Sequence, residues 1–457
     1  MKGKNDKVVV RFPPSPTGFF HIGGARTALF NYLFARKHKG KIFIRFENTD
    51  KERSRKEYEG DIRESLVWLG LEMDGEPVRQ SERTELYKRY LKKLVDSGAA
   101  YVSQEKPATD NHQLTMAGKR QQKNSVIRFK NPGKKIKFTD LIRGEIEFDT
   151  AELKDFVIAK SPEEPLYHLA VVVDDFEMGV THVIRGEDHI SNTPRQILIQ
   201  EAIGVPRPQY AHIPLILAPD RSKLSKRHGA VSVLEYKKMG YFPEALINYL
   251  ALLGWNPGNN QEIFSLKKLI QTFDLEKVQK SGAIFNLEKL NWLNKEYLKK
   301  ASLKLIEQKI KEVMPEMSPQ TVSKLAPVTL ERISRLGEIE EMKRAGEFDY
   351  FIKHPSFKPE LLQWKGDKDL TATSFNLEHT KTILKQIDEK QFTKENLKSA
   401  LWDFATEKGR GSVLWPLRIA LSGKEKSPDP FTLAEIFGKQ DTILRIDAAQ
   451  AILTKEK

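Results

Sequence analysis

The chain contains no cysteine in 457 residues, so disulfides, thiol nucleophiles and thiolate zinc sites are excluded together. No apolar run approaches the ~18 residues needed to span a bilayer. The opening stretch, Met1-Lys-Gly-Lys-Asn-Asp-Lys7, is polar and has no apolar signal core, which gives the expectation of a cytoplasmic protein with no membrane attachment. Internal repeats and low-complexity tracts are also missing. What remains is a soluble, globular composition, 39% hydrophobic and 30% charged. Its length is enough for two to four domains, since single cores rarely exceed ~250–300 residues. Acidic residues are in the minority: 76 Lys and Arg face 62 Asp and Glu, a net charge of +14. Such an excess favours a polyanionic partner, because neutralising phosphates rewards it.

Val8 to Phe12 is a short apolar, β-branched run bounded by prolines and reads as a buried strand. Ala25 to Lys37 repeats its apolar residues at helical spacing and stops before Gly40; Lys41 to Phe46 reads as a second strand and Ser54 to Leu69 as a second helix. Strand, helix, strand, helix predicts a parallel, doubly wound sheet. From Glu105 to Lys137 the chain turns polar and basic, and short strands follow around Val126, Ile146 and Phe156. The α/β pattern resumes with a strand over Tyr167 to Val173, a helix over Thr193 to Ile203 and a strand over Ile213 to Leu217. This order predicts a nucleotide-binding fold split by an inserted domain. Beyond Lys226 the periodicity is helical, including Pro243 to Leu253 and Leu287 to Leu298, with Pro416 and the Ser427-Pro-Asp-Pro430 turn as punctuation.

Two loops carry the chemistry. Phe12-Pro-Pro-Ser-Pro-Thr-Gly-Phe-Phe-His-Ile-Gly-Gly24 leads from the first strand into the first helix. A glycine-rich helix mouth offers backbone N–H groups and the positive end of the helix dipole to phosphate oxygens. His21 adds a ring donor, although the stretch is neither a dinucleotide fingerprint nor a Walker loop. The second loop is Asp220-Arg-Ser-Lys-Leu-Ser-Lys-Arg-His-Gly229, whose Lys223, Lys226 and Arg227 follow a strand where α/β folds place ligands. Taken singly, each loop also reads as a solvated connection.

Taken together, the two loops resemble the HIGH and KMSKS signatures of class I aminoacyl-tRNA synthetases, and within that class the chain is similar to the bacterial glutamyl-tRNA synthetase family. The likeness is carried by Arg11-Phe-Pro-Pro-Ser-Pro-Thr-Gly18, Arg45-Phe-Glu-Asn-Thr-Asp50, Tyr167-His-Leu-Ala170, Val173-Asp-Asp175, His182-Val-Ile-Arg-Gly-Glu-Asp188, Lys223-Leu-Ser-Lys-Arg227, Phe285-Asn-Leu-Glu-Lys-Leu290 and Leu414-Trp-Pro-Leu-Arg-Ile-Ala-Leu-Ser-Gly423. Residues 104 to 138 match poorly. Gly24 stands where HIGH ends in His, Leu224 and Arg227 replace the Met and last Ser of KMSKS, and Asn48 replaces an Asp.

The resemblance implies a Rossmann-like catalytic domain split by an α+β insertion, followed by helical stem-contact and anticodon-binding domains. The boundaries expected are 1–100 and 166–222 for the catalytic halves, 101–165 for the acceptor-end-binding insertion, 223–300 for the KMSKS loop and stem-contact domain, and 301–457 for the anticodon-binding domain. The implied reaction is ATP-dependent formation of glutamyl-adenylate, then transfer to the terminal ribose of tRNA(Glu), with use of tRNA(Gln) left open. By the same resemblance His21, Lys223 and Lys226 are catalytic; Gly23, Gly24, Asp188 and the backbone at Ile216 join His21 and Lys226 around ATP, which brings Mg2+. Zinc is not expected. Arg11 and Arg185 offer planar forks to glutamate's carboxylates, Glu47 faces its ammonium, and Ser15 and Tyr167 add hydroxyls. His168, His182 and His228 have no metal spacing and read as structural. Lys408, Arg410, Trp415 and Arg418 are tRNA candidates, with Trp415 read first as core. A monomer is expected. The rival readings are a glutaminyl-tRNA synthetase, disfavoured by the helical tail, and a catalytically silent RNA-binding paralogue, disfavoured by the intact His21, Lys223 and Lys226.

Overall fold

The computed structural model describes residues 7–50, 52–105, 124–222, 224 and 231–454. The chain forms two compact units, 1–294 and 295–457. In the first, β1 (Val9–Phe12), α1 (Ile22–Lys37), β2 (Lys41–Phe46), α2 (Lys56–Trp68) and β3 (Val78–Arg79) make a parallel β1-β2-β3 sheet. Every residue of β1 but the first is buried, as expected for a strand covered on both faces. Between α1 and β2 the chain packs so closely that a Cβ on Gly40 would run into the Val8 carbonyl. Only glycine fits that crossing.

Next come α3 (Thr84–Asp96), β4 (Ala100–Glu105), β5 (Asn124–Phe129), β6 (Lys135–Asp140), β7 (Gly144–Asp149), β8 (Phe156–Ser161) and β9 (Glu164–Pro165). Strands β4, β5, β8 and β9 form an antiparallel sheet. Then α4 (Tyr167–Glu177), β10 (His182–Gly186), α5 (Thr193–Ile203) and β11 (Gln209–Ile213) return to the parallel pattern. The Thr181 amide donates to the Val9 carbonyl and the Val9 amide to Thr181 Oγ1, both at 2.9 Å. These bonds set β10 beside β1, so the strand order changes direction between them. At β11 the sheet continues into β6 through the Tyr210–Asp140 pair, giving the order β10-β11-β6-β7.

Two local expectations are overturned here. Tyr167 to Val173 is helix, not strand: residues 169 to 175 are all buried, and a helix closed in on every side has the same unbroken apolar run as a buried strand. The strand expected over Ile213 to Leu217 is cut at Pro214, which has no amide for a ladder. Its two parts are β11 and β12 (Ile216–Leu217), the latter pairing with β13 (Ala283–Ile284). Helices α6 (Val233–Lys238), α7 (Pro243–Leu252) and α8 (Leu266–Thr272) follow, and α9 (Leu287–Leu298) spans the boundary at residue 294.

The second unit is helical: α10 (Leu303–Val313), α11 (Pro319–Arg332), α12 (Glu338–Arg344), α13 (Leu370–Gln386), α14 (Lys394–Lys408), α15 (Arg410–Ser422) and α16 (Pro430–Thr454), which kinks at Gly438. Pro416, expected to end a segment, lies inside α15 instead. The carbonyl it frees, that of Ser412, accepts a bond from Asn376 Nδ2 at 3.0 Å. A neighbouring side chain thus covers the defect. Asp429 in the Ser427-Pro-Asp-Pro430 turn accepts from the Phe431 and Thr432 amides and starts α16. Among the described residues, no helix is long and apolar enough to cross a membrane.

Candidate active site

The site lies at the carboxyl ends of β1 and β10, where the strand order reverses and doubly wound sheets bind ligands. Each strand delivers one buried arginine, Arg11 and Arg185, 1% and 4% exposed. Arg11 Nε donates to Asp175 Oδ1 at 3.0 Å, and Arg45 Nη1 donates to the same oxygen at 2.6 Å. Arg45 Nη2 reaches Glu47 Oε1 at 2.9 Å, and its Nε lies 3.8 Å from Asp174. Asp174 is held further by Gln80, Arg83 and Tyr87. Three arginines (Arg11, Arg45, Arg83) and three carboxylates (Glu47, Asp174, Asp175) therefore form one balanced cluster, and pairing is what makes such buried charge tolerable. Burial works to raise the Asp175 carboxyl, yet Arg11 and Arg45 outweigh it and hold the group below its usual range. Glu47 goes the other way, pushed up by burial despite Arg45.

Arg185 is held differently. Its Nε donates to His212 Nε2 at 3.2 Å and its Nη2 to Thr193 Oγ1 at 2.9 Å and the His189 carbonyl at 3.4 Å. All three acceptors are uncharged as placed. Tyr167, first residue of α4, meets His189 Nδ1 through its hydroxyl at 3.1 Å. Burial pushes that phenol up, with the Glu47 charge adding to the rise and Arg185 and Arg11 opposing it. In both arginines Nη1 is buried and, among the described residues, has no hydrogen-bond partner. Arg45 Nε is unpartnered in the same sense, and buried cationic donors left open on the two strands suit an anionic ligand. Ser15 is exposed in the turn after β1, and nothing described brings its hydroxyl to this cluster.

His21 caps α1: its Nδ1 accepts from the Gly24 amide at 3.2 Å. With Nδ1 accepting, the ring proton belongs on Nε2, which then points a donor away from the helix. That bond also occupies one of the amides a phosphate could have used. The loop ahead of α1 is fixed by Asp61 of α2, whose Oδ2 accepts from the Phe20 amide at 2.7 Å. A Cβ on Gly24 would sit 2.7 Å from the Phe20 ring, so this glycine makes room for an aromatic side chain of its own loop. Arg26 donates to the Leu253 carbonyl at 2.9 Å and to that of Pro214, anchoring α1 beneath the break between β11 and β12.

Asp188 is exposed in the short 3-10 helix that follows β10. The Ile216 carbonyl already accepts from the Leu224 amide at 3.1 Å. Lys223, Lys226, Arg227 and His228 lie outside the described residues. His168 is half-buried and its Nδ1 has no partner among the described residues; burial and then the Arg195 and Arg185 charges lower its pKa to about 4. His182 packs on Phe34. Among the described residues, no group of three or more His, Asp or Glu converges as a metal cage. In the second unit Trp415 donates to the Leu361 carbonyl and packs on the core, as its core reading expects. Arg418, Lys324, Arg332, Lys394 and Lys426 line a cleft of about 770 Å³, and Arg410 lies over the Trp402 ring. Of the further site residues, Arg45 and Asp175 fall inside the matched motifs, whereas His189 and His212 lie outside them and carry no signal in the sequence.

The chain matches the family model "tRNA synthetases class I (E and Q), catalytic domain" over residues 7–109 and 103–292, and the model "Anticodon binding domain" over 281–450. It is 40% identical to a glutamate–tRNA ligase of Thermodesulfovibrio yellowstonii, covering 96% of this chain and 98% of that one. It is 41% identical to the glutamate–tRNA ligase of Carboxydothermus hydrogenoformans, covering 96% and 99%. A crystal structure of a glutamate tRNA ligase from Elizabethkingia meningosepticum, in complex with its amino acid, superposes with a TM-score of 0.85 at 33% identity, covering 98% and 100%. With motifs, fold and full-length likeness in agreement, the chain belongs to the glutamate–tRNA ligase family of class I aminoacyl-tRNA synthetases.

Proposed function

We propose that this chain ligates L-glutamate to tRNA(Glu) in two steps, with the described cluster as its glutamate pocket. The observation that carries the pocket is the pair of buried Nη1 donors on Arg11 and Arg185, each lacking a partner among the described residues. Glutamate supplies two carboxylates for two cationic forks, and Glu47 and the Tyr167 hydroxyl flank them for the ammonium and for orientation. Glutamine would leave one fork facing a neutral amide.

In the first step a glutamate α-carboxylate oxygen attacks the α-phosphorus of ATP; the new P–O bond forms as the bond to pyrophosphate breaks. In the second a terminal ribose hydroxyl of tRNA attacks the acyl carbon and AMP leaves. Neither step needs a covalent protein nucleophile, so positioning and charge stabilisation are the protein's contribution. His21 Nε2 donates to a phosphate oxygen at the mouth of α1, and Gly23 lies in the same turn. Lys226, supported by Lys223, follows the leaving phosphates. Asp188 takes the ribose, and the backbone beside Ile216 takes the adenine. Mg2+ is assigned to the nucleotide's own phosphates, as is usual for this ion. Trp402 with Arg410 suits stacking on unpaired bases and contact with phosphates, whereas the cleft at Arg418 mixes five cations with the carboxylates of Glu331, Glu425, Asp429 and Glu435. We place the enzyme in the cytoplasm as a monomer.

The test is aminoacylation with labelled glutamate and glutamine on separately prepared tRNA(Glu) and tRNA(Gln). Glutamate on tRNA(Glu) is the expected product, and glutamate on tRNA(Gln) as well would make the chain non-discriminating. Charging of neither RNA with glutamate refutes the assignment.

A further inference from the structure

We propose that Asp140 and His212 are positioning residues for glutamate binding: a buried relay that holds the Arg185 guanidinium so that its Nη1 faces the substrate carboxylate. The proposal rests on the reading of Arg185 as a carboxylate fork. Asp140 Oδ2 lies 2.7 Å from His212 Nδ1, and His212 Nε2 lies 3.2 Å from Arg185 Nε. Asp140 and His212 are 1% and 0% exposed. The geometry fixes each proton. The same Asp140 oxygen accepts from the His212 amide at 3.0 Å, and the other accepts from the Ile142 and Arg143 amides, both at 2.9 Å. A carboxylate surrounded by donors is an acceptor toward the ring, so Nδ1 carries the hydrogen. Nε2 is then left as the lone pair that Arg185 needs; the Thr193 hydroxyl also lies 3.2 Å from Nε2 and can place its hydrogen on the His189 carbonyl at 3.2 Å instead. Tyr210 stacks on the ring at 6.2 Å and 11° and also lies under the guanidinium.

The benefit of a neutral acceptor is electrostatic. Among the described residues, no carboxylate stands within ion-pair distance of Arg185, unlike Arg11 with Asp175. A carboxylate in the place of His212 would hold the guanidinium equally well, but would neutralise it before glutamate arrived. An imidazole locked in the Nδ1–H form gives the direction without the opposing charge. Asp140 ends β6, so the expected insertion supplies the anchor of the relay to a residue 45 positions further on.

The experiment measures KM and kcat for glutamate and KM for ATP in the full chain carrying His212→Leu, His212→Gln, Asp140→Asn or Arg185→Lys. Gln retains an acceptor toward Arg185, whereas Asn at 140 can donate to Nδ1 and force the wrong tautomer, a substitution known to cripple a catalytic triad. His212→Leu and Asp140→Asn are expected to raise KM for glutamate about tenfold or more, the cost of losing a hydrogen bond to a charged group. The KM for ATP should stay constant, and His212→Gln should recover most of the loss. A normal glutamate KM in Arg185→Lys would overturn the reading of Arg185 and the relay with it. A raised KM there beside a normal one in His212→Leu would overturn the relay alone. So would equal losses in the Leu and Gln variants, which would mark His212 as mere packing. Should the variants fold poorly, nitrogen NMR on histidine-labelled wild-type chain gives an independent readout: Nδ1 protonated and Nε2 bare at neutral pH is expected, and the opposite tautomer refutes the proposal.

Discussion

The β1 and β10 sides of the site solve one problem in two ways. On the β1 side, Arg11 and Arg45 share the Asp175 carboxylate, so charge is cancelled inside the protein. On the β10 side, Arg185 is held by His212, Thr193 and a backbone carbonyl, and its charge is left for whatever binds. The first arrangement is costly to break because each member strands another. The second costs less to break in stability and more in recognition.

Substitutions that strand charge should show the largest contrast. Arg45→Met strands the buried Glu47 and leaves Asp175 with Arg11 as its one cationic partner among the described residues, and a loss of about 3–5 kcal/mol is expected from urea denaturation. Arg185→Met leaves only neutral acceptors unpaired, for about 1–3 kcal/mol. Equal losses would erase the distinction between the two sides.

Acid should separate them by about 3 kcal/mol, the worth of one histidine depressed by two to two and a half pH units. Burial first, and then neighbouring arginines, bring His168 to about 4 and lower His189 and His212 as well. The unfolded chain takes protons near pH 6.5 that the folded one refuses, so this stability is complete above about 6.5 and is lost as the pH falls toward 4. Asp175, held low, keeps its contribution until below about 3.9. Glu47, raised by burial, has the opposite sign and offsets part of the acid loss. A series of urea midpoints against pH should therefore fall between 6.5 and 4, and less steeply in His168→Asn.

The smallest effect concerns the helix mouth. His21→Ala removes a cap and should lower stability by about 1 kcal/mol, whereas His21→Asn, a good capping residue, should hold it within a few tenths. Both should lose adenylate formation, since neither offers the Nε2 donor. Full turnover by the Asn variant would reduce His21 to a cap.

Local pattern was enough for the first strands and helices and for the limits of Thr193–Ile203, because their signals sit within one turn or one pleat. It failed at Tyr167–Glu177, where burial on all sides removes the amphipathic period. The charge pairing in the site was beyond it for another reason. Arg11 and Asp175 lie 164 residues apart, and Asp140 and His212 lie 72 apart. No neighbour in sequence signals such a meeting; the ordered motifs contain Arg11 and Asp175 but neither Asp140 nor His212.

The loop before α1 is pinned by Asp61 and filled by the Phe20 ring over Gly24. Its conformational entropy is thus surrendered when the chain folds, not when a ligand docks. Calorimetry of a nucleotide meeting that helix mouth should show a small heat-capacity change, with none of the signature of a segment that folds on binding.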